Sequence, residues 1–150
     1  MALRDFLRPD DIHLSLDGAT KGAVLAELVA SLGLTPEHSA LLLRVLERRE
    51  SLGSTGIGRG VAIPHSRTQL VDRLRIVFGR RLGGIEWNAM DGQPVSFVFL
   101  LVAPPVEVSN DYLPVLGRVA QLMHDPEVPA RLARALAPAE VLQLLDEKSV

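Results

Sequence analysis

No cysteine occurs among the 150 residues, which removes disulfides, thiolate metal sites and cysteine nucleophiles together. Any covalent chemistry must use another nucleophile. No segment gathers a dense run of Lys or Arg and the formal net charge is −2, so the electrostatic footprint of a nucleic-acid or anionic-membrane binder is missing. Nucleic acid is not expected as a partner. No apolar run reaches the ~18 to 20 residues of a membrane span; the longest is Phe97 to Pro105. The N-terminal stretch Met1 to Arg8 places Asp5 and two arginines among few apolar residues, unlike the charged-then-apolar layout of a signal peptide. A cytoplasmic protein without membrane insertion is expected. Internal repeats and low-complexity linkers are also absent, and His13, His38 and His124 show no ligand spacing, so neither a metal nor another cofactor is expected.

What is present is the composition of a globular domain, 47% hydrophobic and 23% charged with the two signs interspersed. Residues 1–150 are of a size to form one domain with one core. Ile12, Leu14 and Leu16 alternate as a short strand ended by Asp17-Gly18. Thr20 is an N-cap for a helix that Gly33 stops. Thr35-Pro36-Glu37 starts a second helix reaching about Glu50, with a capping hydroxyl, a proline at the first helical position and an acid in the first turn. From Leu52 to Gly60 four glycines predict a shaped loop without regular structure. Val61-Ala62-Ile63 reads as a brief strand into Pro64-His65, with His65 at a loop end. Leu74, Ile76 and Phe78 begin a strand to about Leu82, Asp91-Gly92 marks a turn, and the apolar Val95 to Ala103 predicts a central strand. Helical patterns follow over roughly Asp111 to Met123, Pro126 to Leu136 and Pro138 to Asp146. The whole predicts an α/β or α+β sandwich, a mixed sheet flanked by helices in a single domain.

The run Gly56-Ile57-Gly58-Arg59-Gly60 invites a nucleotide-loop reading, which fails. A phosphate loop closes on Gly-Lys-Ser/Thr, and no lysine lies near. A dinucleotide fingerprint needs a strand before it, a helix after it and a third glycine where Val61 stands. What remains is Glu50, then Ile57-Gly58, then Val61-Ala62-Ile63 and Pro64-His65, agreeing in spacing and residue type over 16 positions with a known signature. The chain resembles the enzyme IIA domains of the mannitol/fructose class of the bacterial phosphotransferase system. The resemblance runs from Ile12 to about Leu145, and within that class it leans to the stand-alone nitrogen-regulatory type. It implies that residues 1–150 are one IIA type-2 domain and that His65 is a phosphoryl acceptor.

Chemistry agrees with that assignment. Imidazole, with an unperturbed pKa of ~6.5, keeps an attacking nitrogen available near neutral pH. Phosphoryl transfer depends mainly on positioning and electrostatic stabilisation, and a Gly-rich loop can aim backbone N–H groups at phosphoryl oxygens. Ser54, Thr55, Gly56 and Gly58 are the expected supporting residues of that loop. Arg49 continues the apolar stripe Leu42, Val45, Leu46, which predicts that it points along the buried helix face and reaches the loop and a phosphoryl group. The competing reading makes it a solvated residue like Arg44 and Arg48. Two positions depart from the family. Ser66 follows the histidine where glycine or another very small residue is usual, and Tyr112 stands where a second histidine is usual. Tyr112 also begins a stripe with Leu116, Val119 and Met123, so a packing role stands beside a site role. Trp87 fits either the core or an interface.

The resemblance implies a donor, a histidine phosphocarrier protein (HPr- or NPr-like), and a downstream regulatory target protein or IIB domain. The absence of an attached transporter domain favours regulation. The alternatives are a IIA component of a sugar permease that passes phosphate to a IIB cysteine, and a binding module of the same fold that cannot be phosphorylated.

Overall fold

A computed structural model of the chain describes residues 2–107 and 110–148. After two 3₁₀ turns come strand β1 (Ile12–His13) and helices α1 (Lys21–Ala30) and α2 (Pro36–Leu52). Both helices start on the expected caps: the Thr20 hydroxyl accepts from the Ala23 amide and the Thr35 hydroxyl from the His38 amide. Strands β2 (Gly56–Gly58), β3 (Val61–Ala62), β4 (His65–Arg67), β5 (Arg75–Ile85) and β6 (Val95–Ala103) follow, then helices α3 (Tyr112–Leu122), α4 (Glu127–Arg134) and α5 (Pro138–Glu147).

The strands form one mixed sheet in the order β1-β5-β6-β3-β2, with β4 also paired to β6. The apolar run Val95–Ala103 is central as expected, antiparallel to β5 on one side and parallel to β3 and β4 on the other. One face of the sheet packs α3, α4 and α5 around Phe78, Phe97, Phe99 and Leu101. The opposite face packs α1 and α2 around Val77, Val98 and Leu100. Trp87 is fully buried in this second core, which settles its role as packing. Among the described residues no helix is long and apolar enough to cross a membrane.

Three expectations need correction. The first strand is shorter, because Leu14 and Leu16 lie beyond the two residues that pair with β5. The β5 strand runs on to Ile85, carried past Leu82 by a register irregularity against Val95. The glycine segment is not structureless, since Gly56–Gly58 pairs antiparallel with β3 in a tight hairpin. Gly58, Arg59 and Gly60 all have positive φ (93°, 59° and 77°), the twist that a two-residue hairpin turn demands. Glycine is needed at position 56 for a different reason, since a Cβ there would lie 2.7 Å from that of Ala89.

Arg80 pins α4 to the sheet from its place on β5. Its buried guanidinium donates to the carbonyls of Leu14 (2.9 Å), Leu132 (2.9 Å) and Ala135 (2.7 Å), closing the C-terminal end of α4. Arg80→Met keeps the apolar stem and strands these carbonyls. It should cost about 2–4 kcal/mol in unfolding free energy, measured by urea denaturation.

Candidate functional site

Strands β3 and β4 occupy one edge of β6 in unbroken register, Val61 opposite Phe97 and His65 opposite Leu101. Pro64, which has no N–H to give, interrupts them, and its carbonyl accepts from the Leu101 amide at 3.0 Å. His65 therefore opens a strand; it is not at a loop end. The ladder holds its backbone where a loop would have left it free. The ring is half-buried, and its Nδ1 lies 2.7 Å from the Ile63 carbonyl oxygen. A carbonyl can only accept, so Nδ1 carries the proton and Nε2 keeps its lone pair. Nε2 is thereby the ring nitrogen left able to accept a proton or another electrophile.

Alternation along β4 sends His65 and Arg67 to the face of α3 and Ser66 to the face of α1 and α2. The register agrees, because Leu101 and Ala103, opposite His65 and Arg67, belong to the first core, and Val102, opposite Ser66, to the second. The Ser66 hydroxyl donates to the Arg67 carbonyl at 3.0 Å and faces away from the imidazole. Tyr112, at the first turn of α3, is 8% exposed and stands with its ring centroid 5.9 Å from that of His65. It serves both readings, as a member of the core and a wall of the site. Burial raises the Tyr112 pKa above that of a free phenol, with Arg67 and then Arg49 pulling the other way, so the group stays neutral near pH 7.

Arg49 does not lie on the buried face of α2. The buried stripe is Leu42, Leu46 and Glu50, while Val45 and Arg49 are exposed. Helical spacing fits both stripes, and packing against α1 and the sheet selects the one turned by 100° per residue toward them. Arg49 nonetheless reaches the glycine segment, as Nη1 donates to the Gly53 carbonyl at 2.6 Å.

Glu50, the acid of the sequence motif, takes the buried position. Its carboxylate accepts from the Thr55 amide (3.2 Å), the Thr55 hydroxyl and the Lys21 ammonium (2.8 Å). Trp87 Nε1 donates to the Thr55 hydroxyl oxygen at 3.3 Å, and Lys21 Nζ sits 5.1 Å from the centre of the indole. Ser54 accepts from the Gly56 amide (3.0 Å) and donates to the Trp87 carbonyl (2.8 Å). The Ser54 and Thr55 side chains thus build the scaffold behind the site. The Thr55 carbonyl accepts from the Ile63 amide at 3.1 Å, so residues 53 and 54 run alongside Pro64 and His65, whereas Gly58 lies at the far, tip end of the hairpin.

The expected backbone cradle also changes. The amides of Thr55, Gly56 and Arg59 already donate to Glu50, Ser54 and Asp91 and are not available to such a cradle. The Asp91 carboxylate, bound by the Gln93 and Arg59 amides, titrates below the ordinary aspartate range. Arg67 and Lys21, which sequence reading did not single out, also stand in this network around His65 and Glu50. For Arg67 a signal existed: it is two residues from His65, and a strand would set both on one face.

The sequence matches, over residues 5–148, the family described as phosphoenolpyruvate-dependent sugar phosphotransferase system, EIIA 2. It is 36% identical to a nitrogen regulatory protein of Bradyrhizobium diazoefficiens over 95% of this chain and 92% of that one. It is 32% identical to a fructose-specific EIIA component of Haloferax volcanii over 91% of this chain and 89% of that one. The crystal structure of the nitrogen regulatory protein IIA-Ntr from Neisseria meningitidis superposes with a TM-score of 0.83 at 31% identity, covering 94% of this chain and 97% of that one. A family match over nearly the whole chain, with these relatives and a solved structure that superposes on it, leads to one conclusion: the chain belongs to the EIIA 2 family of the phosphoenolpyruvate-dependent sugar phosphotransferase system.

Proposed function

We propose that this protein is a phosphocarrier of the regulatory, nitrogen type: His65 accepts a phosphoryl group from a histidine phosphocarrier protein, and its phosphorylation changes which target proteins bind. The observation that carries this reading is the Nδ1 contact to Ile63 O, which leaves Nε2 as the attacking atom. In the transfer, the Nε2 lone pair forms the new N–P bond as the donor imidazole's P–N bond breaks and the donor nitrogen keeps its pair. The Nδ1 proton stays in place, so His65 gains the positive ring charge that the donor loses. The Ile63 carbonyl dipole stabilises that charge. Arg49, anchored on the Gly53 carbonyl, has further guanidinium N–H groups to offer a phosphoryl oxygen.

Likeness to two proteins named for nitrogen regulation supports the regulatory branch, and a cytoplasmic location goes with it. The fructose-specific relative keeps a second reading in view, a IIA component that hands phosphate to a IIB cysteine. Incubation with phosphoenolpyruvate and the upstream carriers, followed by intact mass, tests the carrier role. One acid-labile phosphoryl adduct is expected, and no adduct would leave only a binding module. Loss of the adduct on adding a IIB domain would favour the permease reading.

His65→Ala should abolish the adduct while leaving the thermal midpoint within a few degrees of wild type, because the half-buried ring makes one internal hydrogen bond. Circular dichroism melts and mass spectrometry check both halves; an acid-labile adduct on the variant would place the nucleophile elsewhere. Arg49→Lys keeps the charge but loses the planar fork. Its single-turnover rate should fall on the order of 10²-fold with little change in donor affinity. An unchanged rate would return Arg49 to a purely solvated role.

A further inference from the structure

His65 and Arg67 project from the same face of β4, two residues apart, and one side chain stands against both. The Tyr112 ring lies 5.9 Å from the His65 ring and 4.6 Å from Cζ of Arg67, so the phenol is bracketed by the imidazole and a guanidinium. Arg67 Nη1 also donates to the carbonyl of Pro104 at 3.0 Å, just beyond the end of β6. One guanidinium therefore joins β4, the exit of β6 and the first turn of α3. A cation over an aromatic face is attracted by the ring quadrupole and orients the ring as well as itself. Arg49, tied to the Gly53 carbonyl from α2, is the second guanidinium of the proposed phosphoryl site.

Phosphorylation of His65 adds charge of the sign that such cations stabilise. The phosphoryl oxygens carry about two negative charges, and the ring that carries them cannot neutralise both. A neutral phenol contributes a hydrogen bond and no charge. The charge must come from the residues that hold the phenol.

We propose that Arg67, stacked on Tyr112, is a positioning residue of the phosphoryl site: it holds the phenol against His65 and supplies, with Arg49, the fixed positive charge that favours phosphohistidine. This rests on His65 being the acceptor. Among charged side chains at the site, Arg67 is the one borne by the same strand as the nucleophile. Strand pairing to β6 therefore sets its place relative to the His65 ring.

The test uses the intact chain and two donors, a histidine phosphocarrier protein and the small molecule phosphoramidate, with single-turnover phosphorylation and the hydrolysis half-life of the adduct as readouts. Arg67→Gln should slow phosphorylation from both donors about tenfold and shorten the half-life, less than the ~100-fold of losing a donor that touches the transition state. Arg67→Lys should recover most of the rate, since an ammonium keeps the charge and the ring contact; a residue that only braces the fold would gain nothing from lysine. Combining Arg67→Gln with Tyr112→Leu should give less than the product of the two single effects, because the ring through which Arg67 acts is gone. Rates for Arg67→Gln within twofold of wild type with both donors, no rescue by lysine, or strictly multiplicative double-variant effects would each overturn the proposal. Failure of the underlying reading looks different: wild type itself would gain no adduct on His65 from either donor.

Discussion

Everything near His65 is referred to one buried carboxylate. Glu50 ends the buried stripe of α2, and its two oxygens accept from the Lys21 ammonium, the Thr55 amide and the Thr55 hydroxyl. A carboxylate this deep is tolerable only when charge and lone pairs are both answered, and here they are answered from three directions. Lys21 brings the start of α1, Thr55 brings the glycine segment, and the indole of Trp87 lies against both partners from beyond β5. With that knot tied, the chain leaving α2 can run only one way, past Gly53 and Ser54 alongside Pro64. The exposed Arg49, one residue before the knot, is carried to the same place.

The second constraint is the interruption of a strand that keeps its register. Pro64 removes one donor from the ladder, yet β3 and β4 meet β6 with no slip, so the break redirects side chains without loosening the backbone. The Ile63 carbonyl is left turned to the imidazole, and its bond to Nδ1 does two things at once. It fixes the tautomer, and in the proposed transfer it would offset the positive charge of the ring. A histidine on a mobile loop would exchange tautomers and orientations, and part of its population would present the wrong nitrogen.

Positive charge near His65 comes from arginine side chains. Arg67 comes from the same strand as His65 and stands over the ring of the neutral Tyr112, and Arg49 is tied to the Gly53 carbonyl near the end of α2. Three amides of the glycine segment, those of Thr55, Gly56 and Arg59, are already bound to Glu50, Ser54 and Asp91. The glycines are there to let the hairpin turn at positive φ and to let Gly56 pass Ala89, which is a demand of shape.

What the sequence by itself determined is local or written in a spaced motif: the Thr20 and Thr35 caps, the central apolar strand, the C-terminal helices, and the family's Ile63-Pro64-His65 run. Such features depend on a residue and its neighbours within a few positions, where propensity and periodicity act. The rest was decided by partners distant in the chain. Helical spacing could not say whether Arg49 or Glu50 faces inward, because the choice depends on Lys21 and Thr55. Nor could it pair Arg67 with Tyr112, since those residues meet only after β4 docks on β6 and α3 folds back over it. Periodicity gives each element a buried face, and only packing says which charged residue is enclosed by it and which is left beside the nucleophile.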